Sequence, residues 1–480
     1  MENNSRDGFG SNFGFIMAAV GSAVGLGNIW GFPFKMGMNG GFAFLLVYLV
    51  LAIFVGLAVM VGELAIGRKT GMSPIAAYRK MSEKCAWLGV IAIIVPALVL
   101  CFYFVLGGMV MRYALGYLTA MFGWNTWGVE NIADFFGKFI CSGGSMLAWT
   151  AIFIALNAII VMAGVGGGIE KFCNIGMPCL FVMLIVIIIY VAVQPGAGEG
   201  YKFMFGAANA GLLKTNFFGV LKTAAGQMFF SLSLGMGAMI TYGSYLNKKE
   251  NLQSNAVIIC IMDTLVALMA GMIVMPACYA FGVDTGSGPG LLFKSMQVVF
   301  FNMGGIGNLM GFMFYFLVFI AAISSSMSLL EAITAAKVDA NVAKGEAPNR
   351  KAATLLFAFI ILLFCIPTAL DGLGSSIAGG AELNAPAAML GMEVKGWNDC
   401  WLDFYDMISE GVLMPFGAMV MAILIGWVWG IDPIVEEVEQ CGHKFWGKGF
   451  FNVCYKFITP IGMAFVLLAQ LNDFFGLGIF

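Results

Sequence analysis

The chain has 480 residues, of which 61% are hydrophobic and only 10% charged, with 64 glycines and 44 phenylalanines. A soluble domain carries about a quarter charged residues, so this chain has too little polar surface to cover itself in water. Lys and Arg (24) nearly cancel Asp and Glu (26), which excludes the basic field of a nucleic-acid binder and leaves a polytopic membrane protein.

Met1 to Asn12 is polar and does not read as a signal peptide. A crossing needs about 20 apolar residues. With Pro, Gly and charge clusters as punctuation, spans are predicted near 13–36, 41–66, 87–121, 147–164, 172–194, 217–246, 255–282, 311–342, 353–369, 400–430 and 453–478. These eleven make an all-α chain of one transmembrane domain. The first five (13–194) and the next five (217–430) form two sets, and the eleventh (453–478) stands alone. The stretch from Gly286 to Gly307 is apolar but broken by Gly288, Pro289, Gly290, Gly304 and Gly305, so it reads as a short re-entrant or capping loop.

Loop charges set the orientation. Arg6, Arg68, Lys69, Arg79, Lys80, Lys84, Lys171, Lys248, Lys249, Lys337, Lys344, Arg350, Lys351, Lys444 and Lys448 fall on one side, against Lys138, Lys202, Lys214, Lys294 and Lys395 on the other. This bias puts the N-terminus in the cytoplasm and, after eleven crossings of the cell membrane, the C-terminus outside.

Two spans carry the same oddity. The first contains Gly21-Ser22-Ala23-Val24-Gly25-Leu26-Gly27-Asn28, and the sixth Ser231-Leu232-Ser233-Leu234-Gly235-Met236-Gly237. Small and polar residues thus stand where the bilayer midplane falls. Unwound backbone is tolerated there only when it lines a cavity or is buried in protein. Spans one and six each open a five-span set, and interrupted segments at corresponding positions of two inverted repeats point to a transporter's midplane site. The alternative is close helix packing through small residues.

These residues resemble the neurotransmitter:sodium symporter family in its bacterial amino-acid transporter branch. The resemblance rests on residues 21–28 with Ile29-Trp30, Phe32-Pro33, Asn39-Gly40-Gly41, the run Gln227 to Gly235, and Ala321-Ala322-Ile323-Ser324-Ser325-Ser326. It implies the leucine-transporter fold and sodium-coupled import of an amino acid by alternating access. By resemblance, a first sodium takes the Ala23 carbonyl, Asn28, Ser231 and Asp263, and a second takes the carbonyls of Gly21, Val24 and Ala321 with Ser324 and Ser325. The amides of Leu26 and Gly27, at a half-helix N-terminus that favours anions, hold the substrate carboxylate with Tyr103. Carbonyls of Ala23, Phe230, Ser231 and Ser233 face its ammonium. Val99, Tyr103, Phe230, Ser233, Met236, Ser325 and Leu329 form an uncharged side-chain pocket, which suits a neutral, hydrophobic or aromatic L-amino acid because a charged one would remain unpaired.

The resemblance also assigns gates. Arg6 and Asp339, with Ser244 and Tyr245, match the cytoplasmic gate. Gly168 and Pro178 match a Gly-x9-Pro pattern that unwinds the fifth span. At the outer gate the family's arginine is replaced by Gly31; Lys35, one helical turn on, is expected to substitute for it and to pair with Asp406, or with Asp403. Animal relatives bind chloride through a tyrosine, a glutamine and two serines. Tyr48, Gln227 and Ser231 are in place, but Ala267 replaces the second serine and Asp263 stands where an asparagine is usual. The ionised Asp263 is therefore expected to make chloride unnecessary.

Other function classes fit less well. An intramembrane enzyme needs an acid–base or metal set. His443 is the only histidine, and the 11 cysteines form no C-x-x-C pair, which excludes His-based metal sites and a Ser-His-Asp triad. A channel or amino-acid sensor on the same fold is the alternative. Acids within spans cost about 2.5–3.5 kcal/mol each, so each needs a role. Glu63 is expected to brace the unwound first span, Asp263 to serve sodium, and Glu331 to pack at a helix end.

Overall fold

The computed structural model describes residues 8–124, 126–129, 134–283, 285, 290–374, 385–391 and 399–478. The gate candidate Arg6 and the loop residues Gly288 and Pro289 lie outside them. Every regular element among the described residues is a helix.

Among the described residues, nine helices are long and apolar enough to cross a membrane: Phe42–Thr70, Glu83–Met121, Gly143–Met162, Val165–Ala192, Leu252–Phe281, Gly304–Ala343, Arg350–Gly374, Trp401–Val428 and Lys448–Phe475. They coincide with predicted spans two to five and seven to eleven. The first span is a bent pair, Asn12–Ala23 and Gly27–Met38, whose axes differ by 50°. The sixth is also split, into Phe217–Ser231 and Ala238–Gly243. Between Gly286 and Gly307 the described residues include a short apolar helix, Leu291–Asn302, which is only about half the length a crossing requires.

The breaks have local causes. Ser11 caps the first helix by accepting the Gly14 N–H at 2.9 Å, and the helix stops where Val24 turns extended (φ −71°, ψ 109°). In the sixth span, Ser233 (φ 53°), Gly235 (φ 75°) and Gly237 (φ 68°) adopt left-handed backbone, which a run of α-helix cannot contain. Ser233 is the strained one, being the only non-glycine of the three. Its hydroxyl donates to the Ser22 carbonyl at 2.9 Å, so the two breaks hold each other. Gly235 is forced twice, because a Cβ there would also lie 2.7 Å from the Met414 carbonyl oxygen.

The packing is layered. The third and eighth spans make the most extensive contact, and both halves of the sixth lie along the second. The most apolar windows of the second and third spans are 67% buried, against 39% for the fourth, fifth and ninth and 33% for the eleventh. Those outer spans present Ile175, Val182 and Ile189, or Phe359 and Leu363, or Ile461 and Leu468, to the outside. Spacings of seven or four residues place such residues on one stripe, a face suited to lipid and a liability in water.

Candidate functional site

The two breaks meet at the centre of the molecule. Ala23, Gly25, Gly27, Val99, Tyr103, Phe230, Ser233, Met236, Ser325 and Leu329 enclose a common space of about 10 Å³, so every residue expected in the side-chain pocket lines it. That is room for roughly one water, so an amino acid enters only if the walls part. The Leu26 amide donates to the Tyr103 hydroxyl at 2.9 Å, which couples the two groups assigned to a substrate carboxylate. Gly25 faces this spot. A Cβ on it would lie 2.5 Å from both Ser325 Oγ and Tyr103 Oη, too close without displacing them. Overpacking costs about 1–3 kcal/mol, so Gly25→Ala is expected to weaken substrate binding by about five- to a hundredfold. Equilibrium dialysis checks it, and undiminished affinity would remove Gly25 from the site.

Beside this pocket lies a fully buried polar cluster. Asp263 Oδ2 accepts from Ser231 Oγ at 2.8 Å and from the Tyr48 hydroxyl at 3.5 Å, while Oδ1 accepts from Asn28 Nδ2 at 2.7 Å. Asn28 Nδ2 also donates to Ser231 Oγ at 2.9 Å, and Asn28 Oδ1 accepts the Gly25 N–H at 3.0 Å. Asn28, Ser231 and Asp263 are therefore together as expected, but Asn28 offers its nitrogen to the carboxylate. Its oxygen would face the cluster only after the amide turns over and gives up Gly25. A carboxylate, a hydroxyl and an amide are hard-oxygen donors of the kind that suits sodium.

The residues expected around a second sodium also converge. Ser325 Oγ donates to the Val24 carbonyl at 2.9 Å and the Gly21 carbonyl at 3.3 Å. Ser324 Oγ donates to the Ala321 carbonyl at 3.1 Å, and its Cβ lies 3.2 Å from the position of a Cβ on Gly21. Ser325 borders both this cluster and the substrate pocket.

Above the pocket, a cavity of about 180 Å³ is lined by Trp30, Gly31, Phe34, Lys35, Phe102, Gln227, Phe230, Leu402, Asp403, Asp406 and Glu410. Phe230 borders both spaces and divides them. Here one expectation is corrected: Lys35 Nζ pairs with Glu410 Oε1 at 2.5 Å, not with Asp406. Asp406 and Asp403 line the same cavity. Asp406 and Glu410 are four residues apart and line the same cavity, so both lie within reach of Lys35, and Glu410 takes the contact. At Gly31 a Cβ would approach Gln227 Oε1 to 2.9 Å, so the position of the missing arginine is crowded by Gln227. Lys35→Glu and Glu410→Lys are each expected to cut uptake about tenfold, and the double exchange to recover part of it. Uptake rates of the three variants check this; rescue by Asp406→Lys instead would restore the original pairing.

Two further acids differ from expectation, Glu63 and Glu331, while the expected Arg6 partner of Asp339 lies outside the described residues. Glu63 braces the sixth span rather than the first, its Oε1 accepting the Gly235 N–H at 2.7 Å. Glu331 is more than a packing residue: it accepts from the Tyr245 hydroxyl at 2.7 Å and pairs with Arg350 at 2.6 Å. Asp339 accepts the Ser73 N–H at 2.7 Å, and Ser244 donates to the Thr241 carbonyl at 2.6 Å. Gly168 lies in a π-helical turn, Val165–Ile169, and Pro178 lies inside the following helix, so the fifth span is wound through its Gly-x9-Pro segment.

One cluster went unread in the sequence. Arg68, buried at the end of the second span, donates from Nε to Glu437 Oε1 at 2.7 Å, from Nη1 to the Glu250 carbonyl at 2.7 Å, and from Nη2 to the Glu437 carbonyl. Lys248 Nζ reaches both Glu437 oxygens at 3.0 Å, and Gln440 adds a bond at 2.9 Å. The only signal was an arginine directly following an apolar run.

Comparison with known proteins follows the same lines. The sequence profile of the sodium:neurotransmitter symporter family matches residues 6–138 and 138–377. An uncharacterised sodium-dependent transporter of Bacillus subtilis (strain 168), YhdH, is 32% identical over 465 residues, covering 95% of this chain and 96% of that protein. One of Haemophilus influenzae is 30% identical over 480 residues, covering 98% and 99%. The crystal structure of MhsT in complex with L-phenylalanine is similar at a TM-score of 0.84 and 34% identity, covering 97% of this chain and all of that one.

Proposed function

The chain belongs to the sodium:neurotransmitter symporter family, and from that premise we propose that it is a symporter which uses the sodium gradient to import a neutral, hydrophobic or aromatic L-amino acid by alternating access. Two sodium ions are its co-transported cargo, and chloride is not required. Residues 13–194 and 217–430 act as inverted repeats, and the N-terminus faces the cytoplasm.

The observation that carries the reading is the convergence of both helix breaks on an uncharged pocket flanked by two oxygen-rich clusters. The unwound backbone at Gly25–Gly27 presents amides to a carboxylate, and carbonyls at the same breaks suit cations. Ser325 and Asn28 touch both a cation cluster and the residues around the pocket, so ion and substrate stabilise one another by sharing ligands, which is what coupling requires. Val99, Phe230, Met236 and Leu329 supply the apolar walls, and the thioether of Met236 adapts to bulky side chains. The likeness to MhsT, whose structure holds L-phenylalanine, supports a large side chain. Phe230, between pocket and outer cavity, would close over the substrate, and the Lys35–Glu410 pair would close the cavity above it.

Thermal unfolding of the purified protein against twenty amino acids, in sodium and in potassium, tests this. Stabilisation by phenylalanine, leucine or similar residues in sodium alone is expected. Stabilisation that ignores sodium, or is confined to charged amino acids, would overturn it.

A further inference from the structure

The start of the fifth span holds a carboxylate that no step above uses. Glu170, 7% exposed, lies in the first turn of its helix. Its side chain reaches across to the start of the first span: Oε2 accepts the Gly10 N–H at 2.8 Å, and Oε1 accepts the Ser11 hydroxyl at 3.3 Å. Ser11 in turn caps that helix through the Gly14 N–H. The approach is close enough to exclude a side chain, since a Cβ on Gly14 would lie 1.8 Å from Glu170 Oε1. The same segment is tied to the seventh span by a reciprocal pair, Asn12 Nδ2 to Asn255 Oδ1 at 3.3 Å and Asn255 Nδ2 to Asn12 Oδ1 at 2.7 Å. If the first span moves with the seventh, the Glu170 bonds are the ones that must part.

What lies behind Glu170 gives the contact its consequence. One turn further along the helix, Cys173 is fully buried, with its sulfur 2.9 Å from the position of a Cβ on Gly21. Gly21 carries one of the carbonyls of the second cation cluster. Ahead of Glu170, Val165–Ile169 is a π-helical turn with three successive glycines. Such turns bond less well than α-helix, and glycine gains most by unwinding.

We propose that Glu170 is a positioning residue of the transport cycle, a latch that holds the cytoplasmic end of the first span against the fifth and seals the inner path to the second cation cluster. When the fifth span unwinds, as the family resemblance implies, Glu170 is carried away and the first span loses its cap. The latch rests on the alternating-access reading given above.

Cys173 is a built-in reporter. Membrane vesicles are exposed to N-ethylmaleimide in sodium or in potassium, and modification of Cys173 is followed by peptide mass spectrometry. Wild type is expected to be protected in sodium and labelled in potassium; equal labelling in both would count against alternating access itself. Given that protection, Glu170→Ala is expected to raise labelling in sodium about tenfold or more, the weight of a charge-assisted hydrogen bond, and Glu170→Asp to restore part of the protection. Gly14→Ala should open the latch by collision while leaving every charge in place, so it reports even where Glu170→Ala does not fold. In the Glu170→Ala background it should add nothing, because its collision partner is gone. Full protection of Cys173 in both single variants, or additive effects in the double variant, would overturn the latch.

Discussion

Asp263→Asn is expected to lower sodium-driven uptake by more than about a hundredfold, and Asp263→Asn with Ala267→Ser to restore part of it only when chloride is present. Asp263 is the only charged group in the buried cluster with Asn28, Tyr48 and Ser231. A sodium ion entering that low-dielectric space needs one negative charge nearby. Removing the charged partner of a buried pair costs about 3–5 kcal/mol, which sets the size of the loss. Position 267 lies one helical turn from 263 on the same helix, Leu252–Phe281, so a serine there would offer a hydroxyl to a mobile anion beside the sodium. Initial uptake rates in gluconate and in chloride check both variants. Loss of most wild-type uptake in gluconate would show that Asp263 does not supply the charge.

Glu437→Ala is expected to destabilise the protein by about 3–5 kcal/mol, the cost of leaving a buried charge without its partner. Arg68 would keep only the backbone carbonyls of residues 437 and 250. Lys248 is 46% exposed and loses little, because exposed ion pairs contribute weakly. Arg68→Met combined with Glu437→Met should cost less than Glu437→Ala alone, since both charges leave together. Melting temperatures of the purified variants decide this; a double variant no more stable than the single one would contradict the clamp.

The spans were legible because about 20 apolar residues between charged loops have few other destinations. The breaks in the first and sixth spans were legible because Gly21–Asn28 and Ser231–Gly237 interrupt those runs with residues that weaken helices. The outer gate was read one turn out of place. Asp406 and Glu410 are four residues apart on one helix face and line the same cavity, so residue spacing alone does not say which of them takes Lys35. Glu410 itself lies inside the predicted tenth span, where an acid needs a role. Arg68 and Glu437 are 369 positions apart, and only the folded arrangement brings them together. Glu170 lay in the gap between predicted spans four and five, where an acid reads as solvated; the fifth helix begins earlier, at Val165, and takes Glu170 into its first turn.

Uptake of L-phenylalanine into proteoliposomes under an inward sodium gradient, in chloride-free medium, tests sodium-coupled import most directly. Accumulation above the outside concentration is predicted, with collapse when a sodium ionophore dissipates the gradient and none when potassium replaces sodium. Sodium-dependent binding without accumulation would mark an amino-acid sensor, and uptake that only equilibrates, with or without sodium, would mark a channel; either result would contradict symport.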